Sequence, residues 1–158
     1  GPSTEVSLTI RAPINAVWDA CTDPTLPLQN SPELIAAAWD PEGPPPGPGA
    51  RLLGTNRMGE REWSTVSTVV EWEPCTAWSY EVAGGTDVSS RWWYQLEDHH
   101  DGTVTVRQKV RLGPGSSGLT DAIERKPEHE SAIIEGRLGY MSTAMKLNLE
   151  TIESRAAS

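Results

Sequence analysis

The chain has no phenylalanine, only two cysteines in 158 residues, and no apolar run of membrane-spanning length. Each absence excludes something. Cys21 and Cys75 lack metal-ligand spacing, and the start has no apolar signal segment, so the expectation is a reduced, cytoplasmic protein without a structural zinc. No Lys/Arg cluster interrupts a balance of 13 basic against 22 acidic residues, a net charge of −9, so neither nucleic acid nor an anionic lipid surface is an expected partner. Internal repeats, a phosphate loop, an HExxH helix and a Ser/His/Asp or Cys/His constellation are all missing. The length suits one domain with one core.

What is present instead is tryptophan, seven of them, with three tyrosines. The aromatic bulk therefore carries N–H and O–H groups that need polar neighbours. Gly1-Pro2-Ser3 reads as a tag-cleavage remnant, which leaves residues 4–158 as the domain.

Val6 to Ile10 alternates as a strand, and Pro13 to Asp23 repeats apolar residues at helical spacing through Ile14, Val17, Trp18 and Cys21. Pro24, Pro27 and Pro32 confine the next stretch to one short helix before a strand near Ile35 to Trp39. The Pro/Gly-rich stretch from Asp40 to Gly49 reads as a stiff surface loop. Five strand-like runs follow, separated by turn signals at Met58-Gly59, Glu73-Pro74, Gly84-Gly85 and Asp101-Gly102. This is an antiparallel meander. A short helical turn capped by Thr120 precedes one long helix, from about Glu128 to Arg155, with Ile134, Leu138, Met141, Met145, Leu149 and Ile152 on one stripe.

One strand, WSTVSTVVEW from Trp63 to Trp72, mixes its faces. Strict alternation sets Trp63, Thr65, Ser67, Val69 and Glu71 on one side and Val66, Val70 and Trp72 on the other. A dry core does not suit the hydroxyls, and water does not suit the ring.

Several pieces carry a resemblance: API-x-x-VWD after the first strand, Gly49-Ala50-Arg51 opening a strand that reaches Asn56-Arg57, and Trp63-Ser64-Thr65. Val69 with Glu71, Glu73 and Pro74, then Trp92-Trp93-Tyr94, and GPGSSGLTDAIERKP before the last helix complete it. Together they resemble the START/Bet v 1-like superfamily, the polyketide cyclase/dehydrase and lipid-transport group also called SRPBCC. The resemblance implies an α+β helix-grip fold, in which a curved antiparallel sheet of six to seven strands wraps a long C-terminal helix around a cavity, with two short helices after the first strand. It is specific for fold and weak for function. A cavity wall explains the mixed strand, since it needs apolar shape together with hydrogen-bonding groups.

Continuing the alternation across the sheet gives an inward set. Trp63, Thr65, Ser67, Trp78, Trp92 and Tyr94 are its expected substrate contacts, and Asn56, Tyr80 and Gln108 its expected polar actors. Each polar group either orients a ligand or is satisfied by backbone or buried water. On the last helix Tyr140, Met141 and Met145 are further candidate contacts. Arg137 either holds a carboxylate or oxyanion at the cavity mouth or is a surface arginine. The family often has polar residues on the inner face of this helix, where this chain has Met141 and Ala144, so a helix-histidine mechanism does not transfer. The EDHHDG segment, Glu97 to Gly102, sits at a hairpin turn and His129 is alone, so no metal site and no cofactor is expected.

Two functions from different classes fit. In the first, the protein folds a polyketide-like intermediate and promotes its cyclisation, aromatisation or dehydration, with Tyr80 as acid or donor, Arg137 as enolate stabiliser, and Asn56 and Gln108 as carbonyl contacts. In the second it is a non-catalytic carrier or sensor of a hydrophobic small molecule. Under either function a monomer or homodimer is expected.

Overall fold

The computed structural model describes residues 1–84, 87–114 and 118–157. Its elements are β1 (Ser3–Arg11), α1 (Ile14–Cys21), a 3-10 turn (Leu26–Gln29), β2 (Leu34–Trp39), β3 (Arg51–Met58), β4 (Arg61–Glu73), β5 (Ala77–Gly84), β6 (Asp87–Asp98), β7 (Thr103–Leu112), α2 (Gly118–Arg125), a second 3-10 turn (Pro127–His129) and α3 (Glu130–Ala156). The strands form one antiparallel sheet of seven, in the order β1-β7-β6-β5-β4-β3-β2, curled around α3. This is the helix-grip arrangement expected from the sequence.

The dry end of the core lies where Val6 and Ile10 of β1, Val104 and Val106 of β7, and Met145, Leu149 and Ile152 of α3 meet, all buried. Large side chains of this kind contribute roughly 1.5–3 kcal/mol each when fully buried, an upper bound against a compact unfolded chain. The 3-10 turn is tied to α3 by Asn30, whose Nδ2 donates to Asn148 Oδ1 and to Thr151 Oγ1, both at 3.0 Å. That link fixes the segment entering β2.

Three expectations are corrected. The alternation of Trp63 to Trp72 breaks at an irregularity between Val69 and Glu71. Val70 is the extra residue, so Glu71 turns to the convex face, where its carboxylate accepts from Ser79 Oγ at 3.0 Å and Arg91 at 2.6 Å. Trp72 thereby joins Val69 on the concave side, opposite Trp78. A bulge re-phases a strand at the cost of one unpaired residue. Thr120 lies inside α2 and does not precede it. Gly1-Pro2-Ser3 does not stand outside the fold, since Ser3 pairs with Arg111 and the Pro2 carbonyl accepts from Leu112 N at 2.8 Å. The second glycine of the Gly84-Gly85 signal lies outside the described residues.

Candidate small-molecule site in the concavity of the sheet

The strand registers bring most of the inward set onto one face. Asn56 stands opposite Trp63, Gly54 opposite Thr65, and Leu52 opposite Ser67 across β3 and β4. Ser67 faces Val82, Trp78 faces Tyr94, Tyr80 faces Trp92, and Tyr94 faces Gln108 across β4 to β7. Gly54 is needed at its place, because a Cβ there would lie 2.7 Å from Thr65 Oγ1 and 3.3 Å from Leu34 Cδ1.

Burial divides this face into two parts. Trp78, Tyr94, Ser67 and Gln108 are buried, whereas Asn56, Trp63, Thr65, Tyr80 and Trp92 keep accessible surface. Tyr80 keeps part of its surface accessible while Trp78 and Tyr94 beside it are buried. The wall behind it is aromatic. Tyr80 stacks on Trp92 with centroids 6.4 Å apart and planes 9° from parallel, and Trp78 stacks on Tyr94 at 5.7 Å and 15°. Trp39 and Trp72 extend the array edge-on, with Trp72 5.7 Å from Trp78 and 5.2 Å from Trp18. The sequence reading missed Trp39 and Trp72 as wall residues. Glu71 was the available signal for Trp72, because a carboxylate cannot share the phase of buried Val69 without a partner.

The polar groups on this wall are neutral. Burial pushes the phenols of Tyr80 and Tyr94 well above the ordinary tyrosine range, and Tyr94 is raised further by neighbouring Tyr80 and Cys21. Both are therefore protonated phenols at physiological pH, with a hydroxyl that can donate, and not phenolate bases. Burial likewise pushes the Cys21 thiol up to about 12, against a smaller opposing pull from the Trp78 indole beside it, so it is no nucleophile. That indole does not reach a full hydrogen bond, since Trp78 Nε1 and Gln108 Oε1 are buried without a partner. A buried orphan acceptor on a concave face is an opening for a ligand donor.

The helix side contributes less than expected. Met145 is buried in the dry core and Met141 is half-buried beside Leu138 and Ile134. Tyr140 is 42% exposed on the rim. The Arg137 guanidinium lies 5.2 Å over its ring and holds Glu33 with two parallel bonds, NH1 to Oε1 at 3.0 Å and NH2 to Oε2 at 3.3 Å. Ala144 is half-buried and, with Tyr140, Thr143 and Leu147, lines an open recess of about 230 Å³. A second open recess, about 350 Å³, adjoins Thr151 and Arg155. Neither gathers the aromatic wall. Trp63 stands apart at the far rim under Arg61, 5.1 Å from its ring. Among the described residues no group of three or more His, Cys, Asp or Glu is placed to hold a metal.

Residues 2–133 match the family described as polyketide cyclase / dehydrase and lipid transport. The chain belongs to that family. Its fold is shared with the solution structure of the Polyketide_cyc-like protein Cgl2372 from Corynebacterium glutamicum, 26% identical with a TM-score of 0.68, over 96% of this chain and 88% of that one. It is also shared with BexL, a di-domain ARO/CYC from the BE-7585A biosynthetic pathway, at 17% identity and TM-score 0.69. The match covers 99% of this chain and 50% of BexL, so the chain spans half of that protein. Ara h 8.0201 matches at 16% identity and TM-score 0.58, over 94% of this chain and 98% of its own. No curated protein matches. Family and fold together support a ligand-binding role of the polyketide-cyclase kind. Among the described residues no helix is long and apolar enough to cross a membrane.

Proposed function

We propose that the concavity binds a hydrophobic, polyketide-like or aromatic small molecule and promotes its cyclisation, aromatisation or dehydration. The observation that carries this reading is the half-buried Tyr80 stacked on the half-buried Trp92 in the concavity, beside the buried Trp78 and Tyr94. The aromatic wall folds a flexible substrate and excludes water. Tyr80 donates to a carbonyl oxygen whose charge grows in the transition state, Asn56 provides a second contact nearer the mouth, and Gln108 accepts from a hydroxyl deeper in. Arg137 holds α3 to Glu33 at the rim, so its charge is already spent and its role is positioning.

The second reading, a carrier or sensor, has its own support. The wall tyrosines are held protonated and Gln108 does not titrate, so the wall offers donors and acceptors but no base poised near neutrality.

Mass spectrometry of the ligand that co-purifies, followed by Tyr80→Phe, tests the pair. For an enzyme, Tyr80→Phe cuts turnover far more than affinity. For a carrier it shifts affinity by about one hydrogen bond, roughly 0.5–1.5 kcal/mol, with no turnover to lose. A panel of hydrophobic compounds and polyketides that neither quenches tryptophan fluorescence nor raises the melting temperature would overturn both readings.

A further inference from the structure

Tyr80 of β5 and Tyr94 of β6 are diagonal neighbours on the concave face, since Tyr80 stands opposite Trp92 and Tyr94 opposite Trp78. Diagonal pairs on adjacent strands lie within reach of aromatic side chains. Both rings flank the same indole, with the Tyr80 centroid 5.3 Å and the Tyr94 centroid 5.7 Å from that of Trp78. Because the sheet curls around α3, side chains on this face lean toward one another at their tips.

Neither hydroxyl has a hydrogen-bond partner among the described residues, although a phenol this far inside a protein normally finds one. The side-chain atoms sealed from solvent without a partner are Trp78 Nε1, Arg91 Nε and Gln108 Oε1. The two phenol oxygens are not among them, so the 4% of its surface that Tyr94 keeps includes its hydroxyl. Two open donors therefore stand side by side. Burial holds both protonated, and after burial the nearness of Tyr80 is the next cause of the rise at Tyr94.

The protein supplies no acceptor for this pair, so the acceptor has to arrive with the ligand. A hydrocarbon chain has none to offer. A carbonyl oxygen has two lone pairs, one for each phenol. Resting on the ligand-site reading above, we propose that Tyr94 is a second donor beside Tyr80 and that the two hydroxyls grip one carbonyl oxygen of the ligand, so that the site selects ketones over hydrocarbons of the same shape. If the site is catalytic, the same two donors face that oxygen as it gains enolate charge.

Fluorene and fluorenone test this, because they share a shape and differ by a CH₂ group in place of a carbonyl. Tryptophan fluorescence titration should show the wild type preferring fluorenone. Tyr80→Phe and Tyr94→Phe should each lower that preference by about two- to twelve-fold, one hydrogen bond apiece, with fluorene affinity unchanged and no drop in melting temperature. Infrared spectra of bound fluorenone with an isotope-labelled carbonyl add a measurement on the wild type itself: its stretch should lie below that of a singly hydrogen-bonded ketone, and each variant should return it part of the way. A preference that Tyr94→Phe leaves at the wild-type value, or an equal loss of fluorene and fluorenone affinity in that variant, would overturn the proposal and leave Tyr94 as wall. Equal binding of the two probes by the wild type would overturn it while leaving the ligand site standing. Binding of neither probe would remove the ligand-site reading and this proposal together.

Discussion

Arg137 of α3 and Glu33, the residue before β2, meet fork to fork through bonds of 3.0 and 3.3 Å, 104 residues apart in sequence. The Glu33 carbonyl also accepts from Arg57 N at 2.7 Å, next to Asn56, so the pair bridges α3 to the rim of the ligand wall. The half of α3 that it holds is lightly packed. All the buried residues of the helix lie from Met145 onward.

A double-mutant cycle of Glu33→Gln and Arg137→Met should give a coupling of about 1 kcal/mol, between the values for exposed and buried pairs. Ligand binding separates positioning from contact. If Arg137 only holds the rim, both single variants alter ligand on- and off-rates alike. If Arg137 instead touches the ligand, Glu33→Gln should tighten an anionic ligand by releasing the guanidinium, while Arg137→Met weakens it. Stopped-flow tryptophan fluorescence reads both.

The close approach of β3 and β4 gives a stability test. Gly54→Ala forces a Cβ to within 2.7 Å of Thr65 Oγ1, and overpacking of this kind costs about 1–3 kcal/mol. In a Thr65→Ala background most of that cost should vanish, since the clashing atom is gone. Urea denaturation of the four proteins measures it, and an equal cost in both backgrounds would place the clash elsewhere.

The parts of this architecture that were legible in sequence follow simple periods. The stripe from Ile134 to Ile152 predicted the packed face of α3, and alternation predicted that Tyr80, Trp92, Tyr94 and Gln108 share a side. What escaped was whatever broke the period or depended on distant partners. One extra residue, Val70, moved Trp72 to the concave face and Glu71 to the convex one. Arg137 looked free because its partner sits in a proline-broken segment whose path no local pattern sets. Tyr140 stands beside the predicted stripe in the heptad sense, yet one residue of helix rotation, about 100°, carries it from the wall to the rim.

Acid should expose the link between α3 and the segment after α1. Arg155 NH1 donates to Asp23 Oδ2 at 2.9 Å, and Thr25 donates to Oδ1 through both its N–H and its hydroxyl. Partial burial acts to raise the Asp23 carboxyl, but the Thr25 bonds and Arg155 outweigh it and hold it below its ordinary value. A depressed carboxyl contributes stability that is present above the unfolded value of about 4 and is lost as pH falls through the folded one. Asp23→Asn should therefore destabilise the protein at pH 7, with the difference from wild type shrinking below pH 4. A difference that persisted at pH 2 would mean that the loss comes from hydrogen-bond geometry and not from the charge.

Gln108 makes the sharpest demand on the ligand-site reading. It is 2% exposed, lies between Val6 of β1 and Tyr94 of β6, and its Oε1 has no hydrogen-bond partner. An unpaired buried acceptor costs about 1–3 kcal/mol, which a ligand donor reaching Oε1 would recover. Gln108→Met keeps the shape and removes the orphan, so the ligand-free protein should become more stable by about 1–2 kcal/mol in urea titration. The same change should abolish any preference for a hydroxylated probe, such as 2-naphthol over naphthalene, which the wild type should show by about 1 kcal/mol through the bond to Oε1. Stabilisation accompanied by loss of that preference assigns Gln108 to the ligand. A destabilised variant with the preference unchanged would make Gln108 a structural residue, and hydroxyl recognition would then fall to Tyr80 or Asn56.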